Sequence, residues 1–241
     1  LNRSSAMQRL PEPELMDDAL QARAYAAADF SATDQALVDT LLAHLGPRSS
    51  QAPGRRERLV DLGCGPGNIS FRLAAAFPEA TVLGLDGAAA MLELAGQRRQ
   101  GGPDQWPGLL FHQACLPLEP GALEALPAPW RPPFTALVSN SLLHHLHDPQ
   151  VLWRSLLELG EPGALVVVQD LRRPIDDAAL ENLIERHAAG APAVLRRDYR
   201  QSLRAAFRPA EVEEQLEVAG LRQLTVQALG DRYLEVSGRL N

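Results

Sequence analysis

The sequence predicts a doubly wound α/β domain with a seven-stranded, mostly parallel sheet whose last strand runs antiparallel. Three observations predict it. From Arg58 to Gln169, short apolar runs alternate with helical stretches, and strands separated by helices imply βαβ crossovers and a parallel sheet. A glycine-rich turn, Gly63-Cys64-Gly65-Pro66-Gly67, is entered by a strand and left by a helix. The last two apolar runs are joined by Gly230-Asp231, a turn so short that the pair must be antiparallel.

The N-terminal region, to about Gly46, reads as two helices. The first covers Leu15 to Ala28. The second starts at a capping-box signal, Ser31-Ala32-Thr33-Asp34, places Leu37, Leu41, Leu42 and Leu45 on one face, and stops at Gly46. Residues 47–57 carry only loop chemistry and form a linker. Five strands follow, at Leu59–Leu62, Thr81–Leu85, Leu109–Gln113, Thr135–Ser139 and Leu165–Gln169. The fifth is nearly all Val and Leu, as in a strand covered on both faces. Helices are expected over Asn68–Phe77, Ala88–Arg98 and Pro149–Leu159.

Asp176–Ala189 reads as a helix with Leu180, Leu183, Ile184 and His187 on one stripe. Gly190–Arg208 is rich in arginine and reads as irregular. Pro209 opens a further helix, with Val212, Leu216 and Ala219 on one face and Gly220 at its end. Strands at Gln223–Ala228 and Tyr233–Val236 close the chain.

Composition narrows the function. A chain of 241 residues suits one domain with a full core. Its net charge of −7 argues against a general nucleic-acid binder. All 23 cationic residues are arginine, which removes Schiff-base chemistry and any phosphate-loop lysine. Two cysteines, Cys64 and Cys115, do not make a disulfide framework, so a reducing cytoplasm is expected. No apolar run approaches bilayer length. The first residues lack the apolar core of a secretory signal, and Met7 is expected to be the natural start.

The strongest signal is Leu59-Val60-Asp61-Leu62-Gly63-Cys64-Gly65-Pro66-Gly67-Asn68, followed by Asp86 at the end of the next strand. Glycines let a backbone pass close beside a ligand. Amides at the following helix start then face a carboxylate or phosphate. A carboxylate at the neighbouring strand end can accept from both hydroxyls of a ribose. Dinucleotide-binding loops read G-x-G-x-x-G/A, whereas this one reads G-x-G-x-G with an acid two residues before it.

That pattern resembles the first motif of the class I S-adenosylmethionine methyltransferases, a Rossmann-like family. The resemblance covers nearly all of residues 58–241. It implies S-adenosyl-L-methionine as cofactor, Asp61 orienting its methionine end, Gly63, Cys64 and Gly65 beside it, and Asp86 on its ribose. Gly87 and Met91 follow Asp86 as in the family, where the later residue packs on adenine. Phe111-His112-Gln113-Ala114-Cys115 looks like the third motif, with Gln113 where the family usually has an adenine-binding Asp. Either the Gln113 carbonyl or backbone groups of Ala114 and Cys115 would serve there. Val138 to Pro149 looks like the fourth motif, with Asn140 beside the transferable methyl and His144-His145 after it. The family often folds N-terminal helices over the cofactor, so residues 1–46 are expected to form a lid that includes Tyr25 and Phe30. Residues 175–208 are expected to form the acceptor-site insert of a methyltransferase domain spanning 58–241.

Methyl transfer from a sulfonium is an in-line displacement. Positioning supplies much of the rate, and a base is needed only for a protonated nucleophile. His144 and His145 are candidate bases that titrate near neutrality; the alternative is that they pack the loop or cap the next helix. Asp170 ends the fifth strand, as a site residue or as a cap. Arg172 and Arg173, with Arg196, Arg197 and Arg200, either gather into a basic pocket for an anionic acceptor or form a solvated face. Tyr199 is a candidate catalytic and acceptor residue, and Ser202 an acceptor residue. The histidines lack a second cluster with ligand spacing, so no metal is expected.

The sequence therefore predicts a cytoplasmic enzyme, monomer or homodimer, that methylates a small molecule, without nucleic-acid or membrane partners. Alternatives are a protein or RNA methyltransferase, an NAD-dependent oxidoreductase on the same architecture, or a cofactor-binding protein without turnover.

Overall fold

The structure is a computed structural model. It describes residues 7–45, 56–102 and 105–241. Gly46 and nearly all of the expected 47–57 linker lie outside these. Two helices come first, α1 (Ala19–Ala27) and α2 (Ser31–Leu45). Then follow β1 (Arg58–Leu62), α3 (Asn68–Ala76), β2 (Thr81–Asp86), α4 (Ala89–Gln100), β3 (Leu109–Gln113) and β4 (Phe134–Asn140). The chain continues with α5 (Gln150–Leu159), β5 (Gly160–Leu171), α6 (Asp177–Ala188), α7 (Ala193–Ala205), α8 (Pro209–Val218), β6 (Thr225–Leu229) and β7 (Tyr233–Arg239).

The seven strands lie in the order β3-β2-β1-β4-β5-β7-β6. The first five pair in parallel, and β7 runs antiparallel between β5 and β6. Chain order reverses between β1 and β4, so a crevice opens beyond their carboxyl ends. Period-two alternation divides β1, β2, β4 and β5 between two cores. Val60, Leu83 and Val166 face Trp153 and Leu156 of α5 and Val212 of α8. Leu59, Val82 and Val167 face the opposite layer.

That second layer includes α2. Leu37, Val38 and Leu41 of α2 are fully buried against α3 and the sheet. Burying such side chains contributes about 1.5–3 kcal/mol each, so α2 belongs to the body of the domain. Leu42, expected on the same face, is exposed. The capping box is absent too. Asp29 Oδ1 accepts from Ser31 N at 2.9 Å, and Asp34 turns inward, 4% exposed. The first helix starts at Ala19, capped by Asp18.

The stretch expected to be irregular holds the thirteen-residue helix α7. It lies antiparallel to α6. Arg196, Arg200 and Arg204 pair with Glu185, Glu181 and Asp177 in a ladder of four-residue steps. Its apolar face is thin, with Leu203 and Ala206 buried beside Leu180, Leu183 and Ile184. Few apolar side chains carry the helical period there, which hid the helix in the sequence. His187, expected on that apolar stripe, is exposed and bonds Asp231. Strands β5 and β7 also run past their expected ends.

Candidate active site

The loop after β1 is held from β2. The amides of Gly63 and Cys64 donate to Leu85 O at 2.8 and 3.0 Å. Gly65 N donates to Asp86 Oδ2 at 2.7 Å, and Ala88 N to Asp86 Oδ1 at 2.8 Å. Gly63 and Gly65 both have positive φ, +71° and +53°, a region glycine enters without steric cost. Asp86 thus fixes the loop whose neighbour it is. Burial raises its pKa, opposed by those amide bonds.

Asp61 lies beneath the loop, 1% exposed. Its Oδ2 accepts from Ser70 Oγ at 2.6 Å, while Oδ1 is buried without a partner among the described residues. Burial pushes Asp61 up to about 7. Asp34 lines the same space, and burial pushes it up to about 6. At the end of β4, Asn140 Oδ1 is likewise buried and unpartnered.

Across the crevice, a short 3₁₀ turn at Leu143–His145 presents two imidazoles tilted 34° to each other, centroids 4.2 Å apart. His144 is buried. Its Nδ1 lies 2.6 Å from Asp170 Oδ1, at the end of β5. Burial alone would lower the His144 pKa, but the Asp170 and Glu12 carboxylates outweigh it and the net shift is upward. His145 is held neutral, its pKa pushed down to about 3 by burial and by His144.

Glu12 comes from the segment before α1. Its Oε1 accepts from Ser202 Oγ at 3.0 Å and stands 3.3 Å from His144 Nε2. Burial raises its pKa. The segment is fastened by arginines. Arg9 donates to Ala205 O at 2.6 Å, His144 O at 3.1 Å and Leu146 O at 2.9 Å, with its guanidinium over the Phe207 ring.

These two halves line one cavity of about 520 Å³, within the usual range for small-molecule sites. Every residue expected to contact cofactor lines it except Gln113. Gln113 is exposed and donates to Gly87 O at 3.0 Å. As the last residue of β3 it points away, and Ala114 and Cys115 take the rim instead. His144, His145, Tyr199 and Ser202 also line the cavity, whereas Asp170 reaches it through His144.

The expected basic pocket is corrected. Arg172 is directed to Gly230 O. Arg173 is buried, donating to Met7 O and Ala206 O and pairing with Glu211. Neither lines the cavity, and among the described residues Arg232 is its one arginine. Glu12, Asp34 and Arg232 were missed by sequence reasoning. Asp34 was hidden by the capping role its position suggested, and Glu12 by a segment without periodicity.

The sequence profile of the methyltransferase domain family matches residues 60–166. Residues 60–166 are a class I S-adenosylmethionine-dependent methyltransferase domain. The chain is 40% identical over 112 residues to trans-aconitate 2-methyltransferase of Deinococcus radiodurans, covering 46% of this chain and 37% of that protein. It is 40% identical over 99 residues to malonyl-[acyl-carrier protein] O-methyltransferase of Legionella pneumophila, covering 41% of this chain and 31% of that protein. The matched stretch thus spans well under half of either relative. The fold is similar to a methyltransferase from Aquifex aeolicus, with TM-score 0.61 at 15% identity over 93% of this chain and 99% of that one. It is also similar to the plantazolicin methyltransferase BamL, with TM-score 0.64 at 14% identity over 86% and 71%.

The residues of the methyltransferase domain fit its cofactor. A buried carboxylate oxygen and a buried amide oxygen want donors, and a Cβ at Gly65 would meet nothing within 4 Å. No helix among the described residues is long and apolar enough to cross a membrane.

Proposed function

We propose that this chain transfers a methyl group from S-adenosylmethionine to a small-molecule acceptor. The observation that carries the reading is the single cavity joining the glycine loop to the His144–His145 pair. When bound, the cofactor supplies an electrophilic methyl on a sulfonium. Asp61, with Asp34 beside it, holds the cofactor's ammonium group. The free Asp61 oxygen accepts one of its hydrogens, and the opposite charge lowers the pKa of both carboxylates. Asp86 holds the ribose through the lone pairs its two amide bonds leave unused. Met91 and Ala114 flank the base, and Asn140 borders the reacting end.

The acceptor lies toward His144, His145, Tyr199 and Ser202. Leu15 and Met16 of the N-terminal segment close the opposite side, so that segment, rather than α2, is the lid. A polymer would have to displace it, which favours a small acceptor. The Glu12–His144–His145–Asp170 group is what activates an O–H or N–H nucleophile. The curated relative from Deinococcus radiodurans is named for aconitate, a tricarboxylate. With one arginine in its cavity, this chain is better suited to a neutral or singly charged acceptor.

The test is calorimetric titration with S-adenosylhomocysteine, then labelled-methyl transfer against a metabolite extract with mass spectrometry of the product. Binding lost in Asp86→Ala and a labelled product are expected. Absence of binding to the folded wild-type chain overturns the reading. Binding without any labelled product supports a non-catalytic protein instead.

A further inference from the structure

Glu12, His144 and His145 bring three metal-ligating atoms together. His144 Nδ1 donates to Asp170 across 2.6 Å, and in the neutral ring the lone pair is then on Nε2. That lone pair faces Glu12 Oε1 at 3.3 Å. His145 Nδ1 faces the same oxygen at 3.4 Å. Two imidazole nitrogens and one carboxylate oxygen therefore converge on one small volume, a donor set that suits a cation. All three donor atoms lie within 4.8 Å of one another. Ligands at the usual 2.0–2.1 Å from a tetrahedral zinc ion stand roughly 3.3–3.4 Å apart, the spacing of both His–Glu edges.

We infer that Glu12, His144 and His145 hold a divalent first-row transition-metal ion, with Asp170 as the positioning residue that orients His144. Two imidazoles and one carboxylate leave a coordination position open, as in catalytic rather than structural sites. Both histidines line the cavity, so the open position faces the acceptor and takes its oxygen or nitrogen donor. A carboxylate on the far nitrogen of a ligating histidine fixes its tautomer and strengthens it as a ligand. Metal binding exchanges the contact of His145 Nδ1 with Pro13 O, at 3.3 Å, for coordination. The ion's use in catalysis rests on the methyl-transfer reading above; its presence does not.

The test uses the full chain, stripped with chelator and given Zn²⁺ or Co²⁺ alone, with no nucleoside. One ion per chain by elemental analysis after dialysis is expected, with the visible absorption of four- or five-coordinate Co²⁺. Glu12→Gln and His145→Ala each weaken uptake at least tenfold while keeping the wild-type circular dichroism and melting curve. Asp170→Asn weakens it on the order of 10–100-fold. Asp86→Ala keeps the ion and loses S-adenosylhomocysteine, which separates this site from the cofactor site. A wild-type chain that takes up no ion overturns the inference, leaving a proton between His144 and Glu12. So does unchanged uptake in both folded variants, which would place the ion on other histidines.

Discussion

Ser70 Oγ donates to Asp61 Oδ2 across 2.6 Å and leaves the second carboxylate oxygen buried and unpartnered. An acid built this way is proton-hungry until a cation arrives. With its folded pKa at about 7 and an unfolded value of about 3.9, the folded chain holds a proton that the unfolded chain has released between those values. Stability contributed by this group therefore falls as pH rises through that window. Asp61→Asn removes the dependence. Without ligand, the variant is expected to gain stability over wild type as pH rises from 4 to 8, measured by thermal melts. Its affinity for S-adenosylhomocysteine at pH 8 is expected to fall. A variant that loses affinity and shows no pH-dependent gain would contradict the burial argument.

Gly63 and Gly65 separate fold from ligand. A Cβ at Gly63 would stand 2.9 Å from Leu142 Cβ, so Gly63→Ala is expected to destabilise the chain by steric clash as well as by strain. At Gly65 no heavy atom lies within 4 Å of that Cβ, and only the left-handed backbone costs, about 1–2 kcal/mol. Gly65→Ala is therefore expected to fold and to bind S-adenosylhomocysteine at least tenfold more weakly. Denaturant titration and calorimetry on the pair give the comparison. Equal affinity in wild type and Gly65→Ala would place the ligand elsewhere.

Which parts of this were legible in the sequence follows from contact range. The glycine loop and Asp86 lie 21 residues apart and are joined by one hydrogen bond between adjacent strands, so spacing alone exposes them. Gln113 lies in register with Asp86, but which way a strand's last side chain points depends on the turn beyond it. Helix α7 was illegible because its arginines read as a charge run until α6 supplied their partners. Glu12 reaches His144 across 132 residues, through arginines fastened to backbone carbonyls. No local pattern encodes such a contact.

Trp153 is fully buried, and its indole N–H donates to Gln215 Oε1 of α8 at 3.0 Å. Gln215→Met keeps the volume and strands that donor. A loss of about 1–3 kcal/mol is expected, read from urea denaturation. Adding Trp153→Phe removes the orphaned group, so the double variant is expected to lose less than the sum of the two single losses. Additive losses would mean the bond contributes nothing.

The ladder between α6 and α7 is exposed, so each rung is worth little, about 0–1 kcal/mol. Its role is register rather than strength. Arg200→Glu places two acids together against Glu181 and is expected to destabilise α7, seen as faster amide exchange over residues 193–205. Adding Glu181→Arg restores the pair with the charges exchanged, and the exchange rates are expected to return toward wild type. Failure of the second change to restore them would assign α7 to its apolar contacts alone.

Arg9 decides whether the N-terminal segment stays on the cavity. Its guanidinium serves three carbonyls at once, those of Ala205, His144 and Leu146, while stacked 4.0 Å from the Phe207 ring centroid. A planar fork can do this and a lysine ammonium cannot. Arg9→Ala and Arg9→Lys are both expected to loosen residues 10–17, seen as loss of amide protection there, while the sheet keeps its protection. Because Leu15 and Met16 close one side of the cavity, the same variants are expected to release S-adenosylhomocysteine faster at a nearly unchanged association rate, since affinity changes of this kind reside mainly in dissociation. Protection over residues 10–17 equal to wild type in Arg9→Ala would show that Glu12 and Arg173, not Arg9, hold the segment down.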